Sequence, residues 1–159
     1  MKRIVLLAAM CVVSTTLLSQ TYKLEMVFAD KTSETYLSHW KVLETPQQEA
    51  EKFSLWGYQR YSDSWAINAY EVEYFKGDAQ ATYNFLKGIV EFTEKYKNES
   101  GVLTYLDGVQ VKTLKEMGFK FTLVYDRERK VVCSFNQKQW TEILDKFVSY
   151  CKEHEINYK

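Results

Sequence analysis

Apolar and polar positions alternate along much of this chain with a period of two, and twice the period lengthens to that of a helix. Tyr22, Leu24, Met26 and Phe28 alternate with Lys23 and Glu25, which predicts a half-buried strand over 22–28. Residues 30–35 are polar and read as a turn, and 36–43 fits neither period. Pro46 opens a short segment, 46–52, that reads as helical, because proline suits a first helical turn. Residues 53–61 and 65–75 flank Ser62-Asp63-Ser64 and predict a hairpin. In its second arm Tyr70, Val72 and Tyr74 alternate with Glu71 and Glu73. One-sided patterning of this kind belongs to an antiparallel sheet.

Asp78 is placed to cap a helix over 79–97, where Phe85, Leu86, Ile89, Val90 and Phe92 fall at helical spacing. Strands are expected over 102–106, 109–115, 119–126 and 130–135, with Asp107-Gly108 a strong hairpin-turn signal. Asn136 caps a last helix over 137–155, with Trp140, Ile143, Leu144, Phe147, Val148 and Cys151 on one stripe. A shift of 58 positions lays Asp78 on Asn136 and one apolar stripe on the other, so a ββα pseudo-repeat is one reading of the pattern. The expected fold is α+β: one antiparallel sheet of five to seven strands, with two main amphipathic helices covering one face.

The first nineteen residues differ from the rest. Lys2 and Arg3 precede an uncharged, mostly apolar run from Ile4 to Leu18, the layout of a secretory signal peptide. That run is shorter than the roughly 20 residues a membrane-spanning helix needs. The expected organisation is a signal peptide over 1–19, cut after Ser19, and a single domain over 20–159. The protein is then exported to a periplasm, a cell envelope or the medium. Cys11 follows an apolar stretch, as a lipidated cysteine does, but Met10 stands where that processing wants a small residue.

Loss of Lys2 and Arg3 reduces 21 basic residues to 19 against 21 acidic, a net charge of −2. Near-neutral charge without basic clustering argues against nucleic acid as a partner. Cys133 lies near a strand end, and Cys151 sits about fourteen residues into the next helix, roughly 20 Å further along. A disulfide needs Cα atoms within about 7 Å, so two separate core thiols are expected.

Catalytic patterns are sparse. The two histidines, His39 and His154, have no ligand-spaced neighbours, so no metal and no cofactor is expected. Glu71 and Glu73 share a strand face, and Asp126 and Glu128 flank Arg127. These pairs leave a carboxylate-dependent hydrolase as one reading. The compositional outlier is aromatic: twelve Tyr, nine Phe and four Trp. Trp56, Tyr58, Tyr61 and Trp65 crowd one hairpin and place rings on both of its faces. The leading expectation is a non-catalytic binding module that uses these four residues to engage a protein, as an inhibitor or immunity protein does. A glycan stacked on the same rings is the second expectation.

Overall fold

The computed structural model describes residues 23–30, 35–45, 48–60 and 69–159. The leader, Cys11, Tyr61, Trp65 and the Ser62-Asp63-Ser64 turn lie outside the described residues.

Four strands come first: β1 (Lys23–Asp30), β2 (Thr35–Thr45), β3 (Gln48–Arg60) and β4 (Ala69–Gly77). They form an antiparallel meander in that order. Helix α1 (Ala79–Lys95) follows, then a second meander of β5 (Leu103–Leu106), β6 (Val109–Glu116), β7 (Phe119–Tyr125) and β8 (Val131–Phe135), and finally α2 (Gln137–Glu153). The class is α+β with antiparallel pairing and two helices, as the pattern predicts. The expected single sheet of five to seven strands is corrected to eight strands in two sheets of four. A helix stands between β4 and β5, so the first meander stops there and the hydrogen-bonded ladder does not run on into the second.

Two local expectations are also corrected. Residues 36–43 lie in β2. The segment read as a helix over 46–52 is strand from Gln48 onward, with Ala50 opposite Val42 and Glu49 opposite Leu43. A helix of seven residues is too short to hold itself together in water, whereas a neighbouring strand supplies a partner for every backbone group.

Both helix starts behave as their sequences predict. The Asp78 carboxylate accepts from the Ala81 amide at 2.8 Å. Asn136 accepts from the Gln139 amide at 3.0 Å while the Gln139 side chain accepts from the Asn136 amide at 3.1 Å, a reciprocal cap. The 58-residue offset carries Ala79–Lys95 onto Gln137–Glu153. It also lays buried Trp140, Ile143, Phe147 and Cys151 on buried Thr82, Phe85, Ile89 and Thr93. Each half runs four strands and then a helix, twice the strand count of the ββα reading. Turns follow backbone chemistry. Asp107 and Gly108 have φ of 46° and 78°, and Met117 and Gly118 have 49° and 84°, as two-residue hairpin turns between right-twisted strands require.

The two helices pack on each other between the sheets, α1 against β3, β4 and β5 and α2 against β1, β7 and β8. Aromatic side chains fill the core. Phe75 stacks on Phe85 with centroids 4.3 Å apart, and the edges of Phe147 and Trp140 meet Phe53 and Phe135 at 5.0 and 5.1 Å. Such pairs add about 1 kcal/mol each to the burial of their area. Cys133 and Cys151 are both buried, and neither is in a disulfide.

The two halves meet where β8 crosses β3. A Cβ built on Gly57 stands 2.1 Å from the Val132 carbonyl oxygen, so only glycine admits this approach. We predict that Gly57→Ala costs about 3 kcal/mol or more of unfolding free energy in urea titrations, because the clash is with backbone and no rotamer relieves it.

Candidate functional site

The second sheet has two unlike faces. Alternation turns Val111, Thr113, Thr122, Val124 and Phe135 toward the helices, and all five are buried. The opposite face carries Leu103 and Tyr105 from β5, Leu114 from β6, Phe119, Phe121, Leu123 and Tyr125 from β7, and Val131 from β8, with Gln110 and Lys112 between them. No described element covers this face. Tyr105 is 58% exposed and Phe119 66%, with Phe119 stacked on Phe121 at 6.3 Å. Met117, at the tip of the β6–β7 hairpin, is 91% exposed and holds a left-handed backbone conformation that favours glycine or asparagine. A long apolar side chain here is unfavourable both to solvation and to the backbone. Contiguous exposed apolar area of this kind marks contact surfaces.

Of the four aromatic residues singled out from sequence, Trp56 is the one whose side chain is described, and it lies on the first sheet. Trp56 is half-buried on β3. Its ring lies nearly parallel to Tyr36, with centroids 5.8 Å apart, and its Nε1 donates to Ser38 Oγ at 3.1 Å. Of Tyr58 only the backbone, opposite Glu71, is described. Tyr61 and Trp65 lie outside the described residues. Glu71 and Glu73 are exposed on β4, and the Glu73 carboxylate accepts from Ser54 Oγ and lies 4.0 Å from Lys76 Nζ. The Asp126 carboxylate accepts from the amides of Glu128 and Lys130 in its own turn. Lys130 bonds to Glu128 and lowers its pKa, which suits neither a general acid nor a base poised near neutrality. Among the described residues, no three His, Cys, Asp or Glu side chains gather as metal ligands.

A second constellation was not foreseen. Tyr150 of α2 donates to Glu25 of β1 at 2.5 Å, and the same hydroxyl lies 2.8 Å from His39 Nδ1 of β2. His39 is buried and stacked on Phe53 at 4.6 Å, and His154, the C-cap of α2, stacks on Tyr150 at 4.1 Å. Both histidines of the chain thus meet one tyrosine, 111 residues from one and four from the other. Only the shorter spacing is visible as an i, i+4 pair. The arrangement ties α2 to the first sheet.

Burial, and then Glu25, raises the Tyr150 pKa. Burial also raises that of Tyr74, whose ring is packed beside Cys133. Burial, with Glu51 adding to it, pushes the Cys151 thiol up to about 12. Cys151 is therefore a poor nucleophile.

Comparison of the chain with family models, curated proteins and solved structures returned no match, and the functional reading rests on geometry alone.

Two predictions follow from the buried acids. Between about pH 9 and 12 an unfolded Cys151 has lost its proton while the folded one keeps it. Unfolding free energy should then fall with rising pH, by about 1.4 kcal/mol per pH unit from this group alone, and more steeply above pH 10 as Tyr74 and Tyr150 join. Urea midpoints measured from pH 8 to 11 check the slope. Tyr150→Phe should cost about 1–3 kcal/mol near neutral pH, because it leaves the Glu25 carboxylate and His39 without their shared hydroxyl.

Proposed function

We propose that the chain is an exported, non-catalytic interaction module that engages a protein partner through the outer face of its second sheet. One observation carries this reading: a face rich in aromatic and aliphatic side chains stands uncovered opposite a sheet face that is fully packed. Aromatic residues bring large contact area at low entropic cost, and flat apolar faces suit protein rather than small-ligand recognition. The positively charged start and the apolar run of residues 2–18 support export.

A glycan is the second reading, because Tyr105 and Tyr125 lie on neighbouring strands on either side of Gln110. Rings flanking an amide can stack on a sugar and bond to its hydroxyls.

Residues 20–159, used as bait on the medium and envelope of the producing cell, test the proposal. Leu103→Lys with Phe119→Lys places two charges on the face at exposed positions, and Trp56→Ala serves as the comparison variant. The expected result is a saturable protein partner that is lost at least tenfold with the lysine pair and kept with Trp56→Ala. Retention by the lysine pair with loss in Trp56→Ala would return the site to the first sheet. A partner that is glycan alone would favour the second reading.

A further inference from the structure

Strand β4 is the last strand of the first sheet, so one of its edges is unpaired among the described residues. A groove of about 1010 Å³ runs beside it. Residues 72–76 all line this groove. Side chains alternate between the two faces of a strand, so a cavity lying over one face would meet every second residue. Five consecutive residues place the groove along the strand edge, where backbone groups are available. The far wall is made by Tyr105 and residues 107–110 around the β5–β6 turn and by residues 125–129 at the β7–β8 turn.

The charges along the groove sort into committed and uncommitted. Glu73 is held by Ser54 and Lys76, Asp126 by turn amides, and Glu128 by Lys130. Arg127 and Arg129 both line the groove from one exposed turn, and neither joins an ion pair among the described residues. Arg129 has φ of 62°, a conformation that a long side chain rarely adopts, and it sets a second guanidinium on a tight turn already carrying one. Asp107, on the other turn, is the one carboxylate there without a described partner. The surplus of available charge is positive and concentrated opposite the strand edge.

We propose that this groove binds an extended acidic segment of a partner protein, which adds as a strand to β4 and sets its carboxylates against Arg127 and Arg129. Strand addition draws affinity from main-chain hydrogen bonds and specificity from the side chains that flank the edge. The guanidinium fork matches carboxylate geometry and is the selective element here. The groove shares Tyr105, Gln110 and Tyr125 with the outer face of the second sheet but includes neither Leu103 nor Phe119, so the lysine pair at those two positions and the arginine variant test the two sites separately.

The test is titration of the isotope-labelled mature chain with a blocked eight-residue peptide alternating glutamate and valine, read by amide chemical shifts. Two control peptides replace glutamate with lysine or carry N-methyl groups on alternate amides. The expected result is a set of shifts on residues 72–76 with the acidic peptide. Affinity should fall about tenfold in the Arg127→Gln, Arg129→Asn variant, fall with added salt, and be lost with the N-methylated peptide. Asparagine tolerates the positive φ at 129, so the variant should unfold at an unchanged urea midpoint. No shift at millimolar acidic peptide, equal binding of the lysine peptide, or undiminished binding by the variant would overturn the proposal. So would protection of the β4 amides by self-association without peptide, which would make a second copy the occupant.

Discussion

The bare Cα of Gly57 lies so close to the carbonyl of Val132 that no side chain fits between the two halves of this protein there, and the architecture depends on it. Each half is a four-stranded meander closed by a capped helix, and neither can bury both its sheet and its helix alone. Crossing β8 over β3 brings the inner faces together around the helix pair, so that Leu37, Phe53, Phe75, Phe85, Phe135 and Trp140 belong to a single core. Exclusion of a methyl group at position 57 is what permits the crossing. The same geometry leaves one face of the second sheet outside, since both helices are already used within.

The hydrogen-bonded contact of Glu25, Tyr150 and His39 lies in register with Phe53, four residues along β3 from Gly57. It joins β1 and β2 to the last helix by charge-assisted bonding, where the rest of the join is apolar. A buried imidazole beside a phenol and a carboxylate can resemble catalytic machinery. Here the hydroxyl is spent between two protein groups, the nearest thiol is held protonated by burial, and the arrangement reads as a fastening.

Much of the fold was legible because it was local. Helix caps at Asp78 and Asn136, the Asp107-Gly108 turn and the strand periods of the second half are all written within a few residues. The misreadings share one cause. Residues 48–52 carry helix-forming side chains, and a pairing partner several positions away overrides them. Dividing the strands into two sheets depends on which edges meet, and alternation along one strand does not encode that. The exposed face was hidden because β7, read alone, shows phenylalanine, leucine and tyrosine at alternating positions like any core strand. Only the burial of Thr122 and Val124 on its other side shows which face looks out. Trp56 drew attention as a large ring, and its partners Tyr36 and Ser38 come from a strand that had no assignment.

The central claim, that the outer face of the second sheet is a contact surface, is tested most directly by hydroxyl-radical footprinting of Tyr105, Met117 and Phe119. Purified residues 20–159 would be compared with the same chain in the native fraction of the producing cell that contains it. The account predicts rapid oxidation of all three in the purified chain and protection of all three in the native fraction. Equal oxidation in both, with protection appearing elsewhere or nowhere, would contradict it.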